Sequence, residues 1–259
     1  MTEERLEGGN THAAIVRVGD TVRRPTGPWT PSVHALLRHL ERSGFGGAPR
    51  VHGIDDQGRE ILDYVEGVVV HPDHDVLVLG DDSALVEIAG LVRAYHDAVS
   101  DFPLTGGPWH ENGLDPVGPP ELLCHNDLGS WNLVRRAAGD WAFIDWDLVG
   151  PGRRAWDISW ALLSLVPLMP HRQASDDDVI RRLALFRAAY GDDRFPKASL
   201  AVASERCEHE ATRIRDLGAA GVAPYDRLLA EGHFEAWDNA ARHVQNSLPA
   251  WEDGLGGAV

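Results

Sequence analysis

The sequence predicts an α+β fold in which a small strand-rich part precedes a larger, mainly helical one. Three observations carry this expectation. Over the first 66 positions short apolar runs alternate with turn residues, as strands and hairpins do. From Ser83 onward apolar residues recur mostly at helical spacing. Between the helical stretches one segment, Leu122 to Gly150, breaks that pattern. In it two short apolar strands, Asn132 to Arg136 and Trp141 to Asp145, are joined by the turn Ala137-Ala138-Gly139-Asp140 and read as a β-hairpin.

Taken in order, Gly8-Gly9-Asn10 precedes a strand over Ala13 to Val18, Gly19-Asp20 makes a tight turn, and Thr21 to Arg24 returns. Thr30 is placed to cap a helix that has Pro31 at its first position, Leu36, Leu37 and Leu40 on one face, and Gly44 at its end. Strands Arg50 to Ile54 and Arg59 to Tyr64 flank the turn Asp55-Asp56-Gln57-Gly58. Leu85, Ile88, Val92, Tyr95 and Val99 mark a helix over Ser83 to Val99, and Pro103 to Pro120 is a Gly- and Pro-rich loop. Past the hairpin, helices are expected over Ala155 to Val166, Ser175 to Tyr190, Ser199 to Leu217 and Tyr225 to Asn246. Asp176, Asp177 and Asp178 stand at the positive end of the second of these. No repeat or low-complexity tract interrupts the 259 residues.

Composition narrows the function. The net charge of -16, from 24 basic and 40 acidic residues, repels nucleic acid and anionic membranes and attracts small cations. Two cysteines argue against a disulfide framework and fit a reducing cytoplasm. The absence of an apolar leader or a membrane-length apolar run points the same way. No Gly-Lys-Ser or Gly-Lys-Thr phosphate loop and no Gly-x-Ser-x-Gly elbow is present, which sets aside P-loop nucleotide binding and serine hydrolysis.

The chemistry gathers at the open end of the hairpin. One strand follows the loop His125-Asn126-Asp127-Leu128-Gly129-Ser130-Trp131, and the other runs into Asp145-Trp146-Asp147, so Asp127, Asn132 and Asp145 can converge. Phosphoryl transfer needs a carboxylate to orient the attacking hydroxyl and oxygen ligands to hold magnesium against the phosphates. Asp127 suits the first task, and Asn132 with Asp145 suits the second. H-x-D-x-x-x-x-N followed by Asp in an I-D-W-D run resembles the aminoglycoside phosphotransferase family, which shares the two-lobed protein-kinase-like fold.

That resemblance implies a nucleotide-binding lobe over residues 1–66 and a catalytic, acceptor-binding lobe over 67–259. It implies transfer of the γ-phosphoryl group of ATP or GTP to a hydroxyl of a small, cationic acceptor such as an aminoglycoside, with Mg2+ as cofactor. Asp127 would be the base, His125 and Asp157 would hold its loop, and His96 would be a buried brace beneath it. The connection Asp63-Tyr64-Val65 would meet the adenine edge through its backbone. The chain departs from the family pattern at the donor anchor: Arg23, or Arg24, stands where Lys is usual, and Val33 or His34 stands where the helix acid is expected. Arginine can still hold phosphate oxygens in a fork. A metabolic kinase acting on an amino sugar, choline-like or homoserine-like acceptor, and a catalytically silent pseudokinase-like binding protein, are the alternatives.

Overall fold

The computed structural model describes residues 3–6, 15–70, 80–110 and 115–256. The glycine turn expected at Gly8-Gly9-Asn10 and the start of the strand after it lie outside these residues. An antiparallel sheet of order β1-β2-β3-β5-β4 opens the chain: β1 Glu4–Arg5, β2 Val16–Val18, β3 Thr21–Arg24, β4 Val51–Ile54 and β5 Glu60–Asp63. Gly19, at φ 61°, supplies the left-handed turn between β2 and β3. Helix α1, Thr30–Arg42, buries Val33, Leu36, Leu37 and Leu40, the face its leucine spacing requires. Thr30 is its first helical residue rather than its cap, because its hydroxyl accepts the Gly27 N–H and braces the turn ahead of the helix.

A second sheet, ordered β6-β8-β9, is formed by β6 Val68–Val69, β8 Leu133–Arg135 and β9 Trp141–Phe143. The first hairpin strand starts one residue later than its apolar run suggests, since Ser130–Asn132 tighten into a 3-10 turn before it. Beside the hairpin, β7 Leu122–Cys124 pairs with β10 Gly150–Gly152. This short ladder fixes the root of the loop that leaves β7 and the return of the chain that leaves β9. The two loops are thereby tied at one edge, which is what brings residues 125–132 and 144–147 to the same place.

Helix α2, Asp82–Ala98, is capped by Asp81, whose carboxylate accepts the Ser83 N–H, and buries Leu85, Ile88, Val92 and Tyr95. Helix α3, Arg154–Leu165, is buried on nearly every side, as an apolar helix without a polar face must be. It packs between β7 and a layer made of α4 Asp176–Tyr190, α5 Ser199–Ala219, α6 Tyr225–Ala230 and α7 His233–Gly256. Helix α7 continues past the expected end at Asn246 and runs through Pro249. Its last turns are anchored by Trp251, which is 1% exposed and donates its indole N–H to Asp176 at 2.8 Å. Tertiary burial there outweighs the backbone hydrogen bond that proline cannot make. No helix among the described residues is long and apolar enough to cross a membrane.

The core is continuous from α1 to α7. At its centre the Tyr95 hydroxyl, on a fully buried ring, donates to the carbonyl of Leu123 in β7 at 2.7 Å. Replacing Tyr95 with Phe removes that donor from a buried carbonyl and should lower stability by about 1–3 kcal/mol. Urea unfolding checks this, with an unchanged slope and a lower midpoint expected.

Candidate active site

The loop after β7 is held from below by one carboxylate. Asp157, wholly buried in the first turn of α3, accepts the N–H of His125 through Oδ2 at 2.9 Å and the N–H of Asn126 through Oδ1 at 2.8 Å. His96 of α2 donates from Nε2 to the same Oδ2 at 3.0 Å, and its Nδ1 lies 2.8 Å from the Tyr190 hydroxyl. Burial pushes the Asp157 pKa up, but the His96 bond and the surrounding donors outweigh it, and the carboxyl is held below its usual range. Burial lowers the pKa of His96, consistent with a neutral ring that receives a proton from tyrosine and gives one to aspartate. His125 is also fully buried and depressed by burial. Its Nδ1 accepts the Asp127 N–H at 3.3 Å, and its ring packs 4.6 Å from that of Trp146. Asn126, at φ 66°, takes the left-handed conformation that turns the chain sharply into Asp127.

Asp127 is half-buried and its two oxygens are engaged separately. Oδ1 accepts the Trp160 indole N–H at 2.8 Å; Oδ2 accepts the Asn132 amide at 2.7 Å and the Trp131 indole at 3.3 Å. Gly129 makes room for this arrangement, because a Cβ there would lie 2.3 Å from the Trp131 ring. Burial, and then the charge of Asp145, push the Asp127 carboxyl up to about 6 against the pull of the two indoles.

Asp145 sits at the end of the other hairpin strand with φ 60°, a second left-handed non-glycine residue at this edge. The adjoining Ile144 N–H donates to the Asn132 carbonyl at 2.9 Å, which locks the Asp145 segment to the Asp127 segment. Asp127, Asn132 and Asp145 are thus brought together. Asn132 and Asp145 offer an amide and a carboxylate, the hard oxygen donors that magnesium takes when water and phosphate complete its shell. Among the described residues no group of three or more His, Cys, Asp and Glu could hold a metal by itself. The donor set fits an ion carried in with phosphates better than one bound by the protein alone.

The cation facing this site is Arg24, not Arg23. Strand alternation decides between them: Arg23 turns to the outer face, where it donates to the Thr21 hydroxyl at 2.6 Å and lies 3.9 Å from Asp55. Arg24 turns inward, 6% exposed, with Nε 2.7 Å from Glu60, Nη1 3.2 Å from Asp145 and Nη2 on Asp147. Burial opposes its charge, but the three carboxylates, Asp147 foremost, raise its pKa further. Glu60 is the acid that α1 lacks. It comes from β5, directly across from Arg24 in the ladder, and its other oxygen accepts from His34 Nε2 at 2.8 Å. His34, at the expected acid position, therefore orients the substitute carboxylate.

Asp63 and Tyr64 have their N–H groups committed to the carbonyls of Arg50 and Asp20. The Asp63 carboxylate also accepts the Arg50 N–H and pairs with His52 at 2.6 Å, so this side chain braces β4. An adenine edge could take carbonyls from this connection, or the main chain of Val65, but not those two amides. Glu60, Trp131 and Trp160 join the residues expected from sequence. Trp160 carries a signal, since it lies one helical turn after Asp157 on α3 and shares its face.

Because the fold favours protonated Asp127, this carboxyl contributes stability below its ordinary value of 3.8 and loses that contribution as pH rises through about 6. In the metal-free protein Asp145→Asn removes one of the two upward influences. The Asp127 carboxyl carbon, followed by NMR, should then titrate at lower pH than in the wild type.

Residues 108–198, which contain Asp127, Asn132, Asp145 and Asp157 but not Arg24, His34, Glu60 or His96, match the APH family of phosphotransferase enzymes. A protein of Rhizobium leguminosarum bv. trifolii called trifolitoxin immunity protein is 33% identical over 189 residues, covering 71% of this chain and 68% of its own. Among solved structures, a choline/ethanolamine kinase family protein from Mesorhizobium loti superposes with a TM-score of 0.58 at 16% identity over 99% of this chain and 92% of its own. Aminoglycoside 2'-phosphotransferase-IIIa in its GDP complex gives 0.55 at 14% identity over 100% and 94%. With its five-stranded sheet, its hairpin and its helical layer, the chain has the two-lobed protein-kinase-like fold and belongs to the APH phosphotransferase enzyme family.

Proposed function

We propose that the protein transfers the γ-phosphoryl group of ATP or GTP to a hydroxyl of a small, cationic acceptor. The observation that carries this reading is the meeting of Asp127, Asn132 and Asp145 at one edge, with Asp157 beneath the loop. Asp127 orients the acceptor hydroxyl and takes its proton, Asn132 and Asp145 hold Mg2+, and Asp157 and His125 keep the loop in shape. When bound, the magnesium ion neutralises charge on the phosphate oxygens. Arg24 has the planar fork that suits phosphate, and Glu60 keeps it directed at the site. The nucleotide would lie under the sheet of residues 1–66, with the acceptor held by 67–259.

The net charge of -16 supports a cationic acceptor such as an aminoglycoside, as does the fold shared with aminoglycoside and choline kinases. The name of the curated relative favours protection against a toxic compound as the setting, over a metabolic kinase. Two buried, free cysteines are in keeping with a cytoplasmic protein. A catalytically silent nucleotide binder is the second reading, and one observation favours it: Arg24 reaches both Asp145 and Asp147 and would have to share them with a metal.

Incubation with magnesium and γ-labelled ATP or GTP, over a panel of aminoglycosides, choline, ethanolamine and amino sugars, tests the assignment. Label should appear on an acceptor, and Asp127→Asn should slow its transfer by about a hundred- to ten-thousand-fold. Asp145→Ala with magnesium-dependent transfer unchanged would refute the metal ligands. Transfer to no acceptor, together with stabilisation by magnesium nucleotide of about 2.7 kcal/mol at a hundred times its dissociation constant, would favour the silent protein.

A further inference from the structure

Asp127 is gripped by side chains from separate elements, and one of them leads to a buried cation that the roles above do not use. Arg206, on α5, is 4% exposed. Its guanidinium carbon lies 4.4 Å from the ring centre of Trp156 and 4.5 Å from that of Trp160. The two indoles are four residues apart on α3 and so share one face, between whose rings a flat cation can fit. Trp160 is stacked in turn on Trp237 of α7, with centroids 5.5 Å apart and planes 14° from parallel.

The two terminal nitrogens of Arg206 are directed at main chain. Nη2 donates to the carbonyl of Asn126 and Nη1 to that of Trp156. Asn126 is the left-handed residue immediately before Asp127, and its N–H is already held by Asp157. The peptide groups on both sides of Asn126 are therefore held, one by Asp157 and the other by Arg206. A methionine of similar length would fill the same space without the cost of desolvating a charge, so packing alone gives no reason for arginine here.

We propose that Arg206 and Trp160 are positioning residues of the phosphotransfer centre. The guanidinium fixes the Asn126 carbonyl and the Trp160 ring relative to each other, so that the indole N–H meets Asp127 Oδ1 and the carboxylate faces the acceptor hydroxyl in one orientation. The inference rests on the reading of Asp127 as the base. It adds that the aim of the base is set from α5, a helix that carries none of the other residues assigned to the chemistry.

Trp160→Phe keeps the ring in the stack and deletes only the N–H, whereas Arg206→Met keeps length and deletes the donors. With water as the acceptor, phosphate release from magnesium-ATP should fall in kcat by about 100-fold in each, the scale of a misplaced reacting group, while KM for ATP stays within about twofold. Independently of turnover, the Trp160 indole signal, one of nine and assigned by its loss in Trp160→Phe, should exchange with D2O at least about tenfold faster in Arg206→Met. Folded variants with unchanged kcat, or a rise in KM with kcat intact, would overturn the proposal. So would full kcat in Arg206→Lys, since lysine lacks the planar fork. Asp127→Asn separates the two readings: if it turns over like the wild type, the base assignment has failed, and the indole exchange still decides whether Arg206 holds Trp160. If Arg206→Met does not fold, the same exchange in Arg206→Lys and the kcat of Trp160→Phe decide.

Discussion

The buried carboxylate of Asp157 is the interaction on which the site depends. It is wholly removed from water and is satisfied by two main-chain N–H groups and one imidazole. Such a charge is tolerable only while every donor stays in place, and each donor is costly to leave unmet. The network continues outward, because Tyr190 links His96 to Arg154, whose Nη1 donates to the tyrosine oxygen at 2.7 Å. The loop that carries Asp127 is thus wired to α2, α3 and α4 together. Its conformation follows from the core and not from the loop's own preferences.

Two carboxylates a few residues apart in space are driven in opposite directions by this environment. Asp157, surrounded by donors, is held ionised, while Asp127, beside Asp145 and partly desolvated, is pushed up to about 6. On the proposed reading, divergence of this kind gives one site a structural anion and a group suited to proton transfer from the same residue type. The indoles of Trp131 and Trp160 temper the second shift without abolishing it.

Much of this was legible in the sequence wherever the signal was local. The hairpin, the spacing of Asp127, Asn132 and Asp145, and the all-round apolar character of α3 each depend on neighbours within a few residues. The choice between Arg23 and Arg24 was not legible, since it turns on which face of β3 meets the helical part of the chain. Glu60 was hidden for a related reason: β3 and β5 are neighbours in the sheet but not in sequence, so no hairpin turn sets their register. The extension of α7 through Pro249 escaped because its cause, burial of Trp251 against α4, is tertiary. Trp160 lay within reach of a helical-face argument. Arg206 did not, because its partners come from another helix and from main-chain carbonyls.

Placing the anchoring acid on the sheet alters how the small lobe can behave. Arg24 and Glu60 face each other in adjacent, hydrogen-bonded strands, so their ion pair is built into the ladder and survives any rolling or sliding of α1. A chain with its acid on a mobile helix can be turned off by swinging that helix away. Here, among the described residues, the polar tie between α1 and the pair is His34, which hydrogen-bonds Glu60. On the proposed reading, the donor side of the molecule is thereby preassembled in the sheet, whatever position α1 takes.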